Sequence, residues 1–317
     1  MADVITIGEA MLRLCPGFDL RLEQAQKFDL EIGGAELNVA VALSRLGTSS
    51  AFMMKLPDNP LGHLLVNRAR SWGVDVSRMV WSPEGRVGTY FIEYGKTPRS
   101  INVVYDRKDS AINTLLADEL DWDFIGGGKL LHTTGITMGV GDNCKQLVMD
   151  VIARARKLGL LVSFDVNFRS RLWKPEQARK AIDELVGQID ILFVTKDDAS
   201  VVMGLEGEPS DVVSKLHQKF ACKLAVMTLG AEGAIVCDDD GVTGQSSYDL
   251  EVVDRVGGGD AFAAGFIYGH LNGSTVMAME YAAAMAALKY SIIGDFAIVT
   301  KNELEQVIAG GTRGVQR

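Results

Sequence analysis

Histidine, cysteine and proline are scarce in this chain, whose 317 residues hold 4 His, 4 Cys and 7 Pro. Cys15, Cys144, Cys222 and Cys237 form no CxxC pair and have no histidine cluster nearby. That spacing is wrong for a zinc site and predicts buried, reduced thiols in place of a disulfide framework. His63, His132, His217 and His270 also lack ligand spacing, so core or solvated roles are expected of them. Surplus positive charge is missing too. A net charge of -9 argues against a nucleic-acid partner, because phosphate backbones are bound chiefly through excess Lys and Arg; a small anion held by a few local cations stays open. No apolar run approaches the ~20 residues that span a bilayer, and the opening "MADVITIGEAMLRL" has neither a basic leader nor a small-residue cleavage site. The expectation is no membrane segment and a cytoplasmic location.

Two glycine-rich phosphate motifs are absent as well. A GxxxxGK[ST] loop would need glycine at position 90, where Tyr90 stands ahead of the "GKT" at 95–97. No GxGxxG follows the first strand-like run, where "GEAML" stands instead.

What is present is 47% hydrophobic and 23% charged sequence, ordinary for a globular protein of this length. Continuous apolar runs at 4–8, 51–56, 130–135, 160–166, 191–195, 224–229 and 234–238 predict strands. Helical patterns at 36–46, 60–72, 142–158, 175–187, 197–204, 210–220, 260–271, 275–292 and 301–309 fall largely between or after them. Strands that are apolar on both faces, separated by helices, predict an α/β fold with a mostly parallel central sheet and helices on both sides. Ligands in such sheets sit at the carboxyl ends of the strands. Segments 12–32 and 87–107 break the alternation with shorter strand-like stretches of mixed polarity and turn signals at Cys15-Pro16-Gly17 and Thr97-Pro98. They are expected to form one small sheet serving as a lid on a single domain over 1–317.

The most informative stretch is "DRVGGGDAFAAGF" at 254–266. Three glycines before one carboxylate, at the mouth of an apolar helix, leave the amides of Gly257, Gly258 and Gly259 as donors that can converge on an anion, aided by the helix dipole. The alternative is a plain turn with Asp260 as helix cap. A carboxylate beside an anion site can also accept the proton of an alcohol that attacks a phosphoryl group. In "GGAELN" at 33–38, Gly33 and Gly34 permit close approach and Asn38 offers a donor and an acceptor to hydroxyls; a helix start after a glycine turn explains the same residues. The Ala-dense "EYAAAMAALKY" at 280–290 reads as tight helix packing before a wall for a flat ligand.

Together, "GGAELNVAVALSRLG" (33–47) and "DRVGGGDAFAAGF" (254–266), with "SFDVNFR" (163–169) and "TLGAEGA" (228–234), resemble the signatures of the ribokinase-like (PfkB-type) carbohydrate kinases. Within that family, "KLPDNPLG" (55–62), "VVYDRKDSA" (103–111) and "FDVNFRSRLW" (164–173) resemble 2-keto-3-deoxygluconate kinases. The resemblance implies phosphorylation of the sugar acid's 6-hydroxyl, dependent on ATP and a divalent cation such as Mg2+, to give 2-keto-3-deoxy-6-phosphogluconate. It implies Asp260 as base and Gly257, Gly258 and Gly259 as anion hole. It places Gly33, Gly34, Asn38, Tyr90, Tyr105, Arg107, Ile136, Arg169 and Asp295 on the acceptor, and Asn167, Thr228, Gly230 and Gly233 along the nucleotide. Arg107 and Arg169 suit a carboxylate through the planar guanidinium fork, although "DxNxR" also serves relatives with neutral sugars. Two departures stand out. Arg255 replaces the family's usual Thr, and the NxxE element that organises metal and phosphates reads "TKDD" (195–198), keeping only Asp198 as a candidate metal ligand, through water. Unpaired edges of the expected lid strands, which pairing between two chains would cover, predict a homodimer through the lid or a higher homo-oligomer. A sister kinase for fructose or ribose and a catalytically silent sugar- or nucleotide-binding regulator are the alternatives.

Overall fold

A computed structural model describes residues 2–17, 20–95 and 98–310. The apolar runs form an eight-stranded sheet in the order Gly241–Gln245, Ala234–Asp238, Leu224–Thr228, Ile191–Thr195, Leu161–Asp165, Leu130–Thr134, Val4–Ile7, Ser50–Met53. Strands from Leu224–Thr228 to Ser50–Met53 are parallel; the pairings at the Gly241–Gln245 edge are antiparallel. Alternate residues explain the apolar continuity. Leu192 and Val194 enter one hydrophobic core, whereas Ile191 and Phe193 enter a second. Because successive side chains point to opposite faces, these are the two sides of the sheet, and both are covered. The Asp142–Lys157 helix supplies Leu147 and Val151 to the first, and the Gly258–Asn272 helix supplies Phe262 and Phe266 to the second.

The segments that break the alternation pair with each other. Asp29–Gly33, Met11–Cys15, Thr89–Glu93 and Asn102–Asp106 form a separate four-stranded sheet in that order. Its mixed polarity reflects one covered face, where Met11, Cys15, Tyr90, Ile92 and Tyr94 make a small core. Phe18, Asp19, Lys96 and Thr97 of these segments lie outside the described residues.

One expectation is corrected and one strand is added. The run at 51–56 is not one strand: Ser50–Met53 joins the large sheet, while Lys55–Pro57 pairs with Val80–Ser82 in a separate ribbon. The edge strand Gly241–Gln245 carries almost no apolar signal because most of it is exposed. Among the described residues, no helix is long and apolar enough to cross a membrane. All four cysteines are buried and unpaired. His132 is a core residue bonded to Ser163 Oγ at 2.9 Å, and burial pushes its pKa down to about 3.

The helix that begins at the glycine triplet is held by unusually close packing. A Cβ on Gly265 would collide with the backbone of Tyr281 and Ala282, and one on Gly269 with that of Ala278, all on the facing Thr275–Tyr290 helix. The Ala-dense segment is thus a helix-packing surface. Gly265→Val is expected to force these helices apart at a cost on the order of 1–3 kcal/mol. A lower urea midpoint at unchanged m-value would register it.

Candidate active site

Chain direction brings the carboxyl ends of four parallel strands to one cleft of about 740 Å³, with Asp165, Thr195 and Thr228 on its wall and Ile136 just beyond Thr134. That volume is in the range of small-molecule sites. Every residue singled out from the sequence lines it except Gly233. Gly233 instead forms a turn with φ of 103°, its carbonyl accepting from the Leu229 N–H at 2.8 Å, and a Cβ there would strike the Gln245 carbonyl. The turn itself accounts for this glycine, and the cleft lining adds no support for its expected place along a nucleotide.

The helix bearing Asp260 starts at Gly258, two residues earlier than the sequence pattern suggests, with Gly257 as cap in the left-handed region. Asp260 therefore does not cap the helix. Its Oδ2 accepts from Asn38 Nδ2 at 2.6 Å, and Asn38 sits in the first turn of the Ala35–Arg45 helix. Burial pushes Asp260 up to about 6, Asp295 adding to the shift while Asn38, Arg169 and Lys289 oppose it. Of the three glycine amides, that of Gly258 donates weakly to the Arg255 carbonyl at 3.4 Å; among the described residues, those of Gly257 and Gly259 have no protein acceptor.

The glycines differ in what requires them. Gly257 has φ of 79°, and a Cβ there would strike the Asp295 carbonyl; one on Gly258 would strike the Tyr290 ring. Gly259 faces open space. In the other motif, a Cβ on Gly33 would meet the Asp295 carboxylate and Tyr90 hydroxyl, and one on Gly34 the Glu9 carbonyl. Both glycines of that motif are needed by protein packing, whatever approaches them from the cleft.

On the side of the four-stranded sheet, Tyr90 pairs in register with Tyr105, their rings stacked at 5.9 Å. Tyr90 donates its hydroxyl proton to Asp295 Oδ2 at 2.8 Å. Arg107 lies over the Tyr105 ring and forks onto Glu9, with Nε at 2.8 Å from Oε2 and Nη2 on the same oxygen. Glu9, missed in "GEAML", thus engages two of the three nitrogens of the fork expected to meet an acceptor carboxylate. Arg169 is exposed, donates only to its neighbour's Phe168 carbonyl, and is in no ion pair among the described residues.

A cluster of carboxylates lies across the floor. Asp165, also missed, ends an apolar strand; burial raises its pKa well above normal, reinforced by the Asp260 and Asp198 charges. Asp198 is raised by burial and accepts from the Phe168 N–H at 3.3 Å, while Thr195 caps its helix through the Asp198 N–H at 2.9 Å. Asn167 holds φ of 38° between them, a conformation that Asn tolerates better than most residues. Among the described residues no three His, Cys, Asp or Glu side chains are grouped to hold a metal ion by themselves. A magnesium ion usually needs only one or two carboxylates beside substrate phosphates and water. Asp198 and Asp165, both on the cleft wall, are the carboxylates that could serve such an ion.

The profile of the pfkB family of carbohydrate kinases matches residues 1–296. Over 317 residues, covering 100% of this chain and 99% of the relative, the sequence is 38% identical to a 2-dehydro-3-deoxygalactonokinase of Haloferax volcanii. The crystal structure of a 2-dehydro-3-deoxygluconokinase from Thermotoga maritima superimposes with a TM-score of 0.92 at 33% identity, covering 98% of each chain. An uncharacterized sugar kinase from Pyrococcus horikoshii, solved in complex with ATP, superimposes with a TM-score of 0.81 at 25% identity, covering 95% of this chain and 96% of its own.

Asp260 also bears on stability. A carboxyl that holds its proton more tightly when folded favours the fold below the unfolded pKa, near 3.8, and loses that contribution as pH rises through about 6. Asp260→Asn, neutral throughout, is expected to exceed the parent in stability above pH 6 by on the order of 2 kcal/mol, with the gap closing below about pH 4. Thermal unfolding across pH reads the difference.

Proposed function

The chain belongs to the pfkB family of carbohydrate kinases, and from that membership we propose that it transfers the γ-phosphoryl group of ATP to the 6-hydroxyl of 2-keto-3-deoxygluconate. The observation that carries the reading is one helical turn. It sets the unpartnered amides of Gly257 and Gly259 beside the desolvated carboxylate of Asp260 at a cleft wall. In this reading Asp260 accepts the hydroxyl proton while the amides and the helix N-terminus neutralise charge on the transferring group. The Asn38 amide aims the carboxylate. Tyr90, Tyr105, Asp295, Gly33, Gly34 and Ile136 surround the acceptor. The remaining nitrogen of Arg107 meets the acceptor carboxylate, and Arg169 serves either that group or the phosphates. Asn167, Thr228 and Gly230 lie along the nucleotide. Asp198 and Asp165 would hold Mg2+, directly or through water, and a bound cation would supply positive charge to offset that of the phosphates.

The whole of 1–317 acts as one catalytic domain, with the four-stranded sheet as a lid that excludes water from the transfer. The 38% identical relative favours a second acceptor, 2-keto-3-deoxygalactonate. The two acids share the carboxylate and terminal hydroxyl that this turn would serve and differ at one secondary hydroxyl, so one site can take both.

ATP consumption with magnesium is the test, across both keto-deoxy acids, gluconate, fructose, ribose and adenosine. Turnover confined to the keto-deoxy acids is expected. Asp260→Asn should lower kcat by about 10²–10⁴ with modest change in nucleotide affinity. Gly259→Ala should unfold no sooner than the parent, since nothing in the protein opposes the methyl, yet lose about tenfold or more in kcat/KM for ATP. Turnover of a neutral sugar alone would discard the acid reading, and full activity of Asp260→Asn would remove the base.

The lid also carries exposed Leu20, Phe28, Ile101 and Val104, the last on its edge strand Asn102–Asp106. An apolar, unpaired edge of this kind is suited to a second copy. Light scattering at micromolar concentration is expected to give a dimer, and a monomer would reject this face as an interface.

A further inference from the structure

Arg13 is 1% exposed, and none of the roles above uses it. It projects from Met11–Cys15 in the four-stranded sheet, in register with Tyr90 on the neighbouring strand. Its Nη1 donates to Asp295 Oδ1 at 2.5 Å, and its Nη2 meets Asp254 Oδ2 at 3.1 Å and the Tyr94 hydroxyl. Tyr94 donates to the same Asp254 oxygen at 2.6 Å. Arg13 and Tyr90 of the sheet, with Tyr94 one residue beyond its Thr89–Glu93 strand, therefore converge on two carboxylates of the main body.

Those two carboxylates bound the glycine turn. Asp254 accepts from the Val256 N–H at 3.0 Å, one residue before Gly257, and from the Gly294 N–H at 3.0 Å, one residue before Asp295. Asp295 has its backbone carbonyl against Gly257 and its side chain on Tyr90 and the cleft wall. Lys289, fully buried nearby, donates to the Ile292 carbonyl at 2.9 Å and pairs with neither carboxylate at ion-pair distance. Among the described residues, Arg13 is the cation that reaches both.

We propose that Arg13 is a positioning residue that joins the acceptor-side sheet to the Gly257–Asp260 turn, so that acceptor and nucleotide bind with positive coupling. An acceptor drawn against Tyr90 and Asp295 loads the carboxylate that Arg13 shares with Asp254, and Asp254 sets the entry to the turn that receives the phosphates. Buried charges held by one partner have two discrete states, paired or not, and so transmit a shift that a soft surface would absorb. The inference rests on the kinase reading above.

The experiment measures binding of a non-hydrolysable ATP analogue with and without saturating 2-keto-3-deoxygluconate, alongside steady-state kinetics, in the parent, Arg13→Lys and Asp254→Asn. In the parent the acceptor should tighten analogue binding about 5- to 100-fold. Arg13→Lys keeps the charge but cannot reach both carboxylates. It should reduce the coupling to within about twofold and lower kcat about tenfold or more, while each ligand alone binds within about threefold of the parent. If Arg13→Lys does not fold, Asp254→Asn, which can still accept from Val256, should show the same loss. Parent-like coupling in a folded variant would overturn the inference. So would a fall in both single-ligand affinities that merely tracks the melting temperature. A parent protein that binds the analogue but phosphorylates neither keto-deoxy acid would count instead against the kinase reading, and no variant is needed to see it.

Discussion

A hydrogen bond of 2.6 Å between Asn38 and Asp260, residues 222 apart in sequence, is the constraint on which the site depends. It exists only because two helices enter the cleft by their N-termini, each from a glycine, Gly34 or Gly257. Their packing sets that approach. Val39, Ala42 and Leu43 of one helix share a core with Ala261, Ala264 and Phe266 of the other. Leu37, Ala40 and Val41 turn the first helix toward the opposite core, so it is clasped on both sides and cannot roll without moving Asn38. Apolar burial thereby fixes a polar contact whose own net strength is modest.

Charge is arranged in two tiers. The deep cations are engaged: Arg13 holds Asp254 and Asp295, and Arg107 holds Glu9. At the rim, Arg169, Arg255 and Lys196 line the cleft without an ion pair among the described residues. A chain of net charge -9 can therefore receive an anion, since the local field at the mouth is set by unpaired cations and helix ends. The inner carboxylates stay costly. Glu36, fully buried behind Asp260, accepts on one oxygen from the Thr134 N–H at 3.0 Å and from the Thr134 and Thr137 hydroxyls at 2.8 and 2.7 Å. Burial still pushes it up to about 7, and its other oxygen has no partner. The stretch "GGAELN" thus does two linked things: Glu36 braces the helix from below while Asn38 holds the Asp260 carboxylate at the cleft.

The parts legible in the sequence were those whose signal is local. Apolar runs marked the parallel strands because burial on both faces leaves no polar register to confuse, and Ile191–Thr195 falls where the pattern puts it. Gly241–Gln245 was illegible because an exposed edge strand needs only backbone pairing. In the site, the glycine motifs were visible and their carboxylate neighbours were not. Arg13 lies in "LRLC", where alternation reads it as the solvent side of a strand; in fact that side is covered by loops from residues 254 and 295. Glu9 and Asp165 likewise owe their roles to partners about 100 residues away or to strands adjacent only in the folded sheet. No window along the chain contains those relations.

The three glycines before Asp260 show how one motif can answer to several forces. Gly257 is required by a left-handed backbone and by the Asp295 carbonyl, Gly258 by the Tyr290 ring. Both would be demanded of any protein with this loop, active or not. Gly259 has no such reason. It lies in the first turn of a helix, where alanine is intrinsically better, and nothing in the protein occupies the space a Cβ would take. A helix that forgoes that stabilisation at its cleft-facing end, beside an amide with no protein acceptor, is shaped by something that arrives from outside the chain. The carboxylate one residue later, raised by burial to about 6, stands beside that amide on the same turn. Structural need therefore accounts for two of the glycines, and the third points to the ligand.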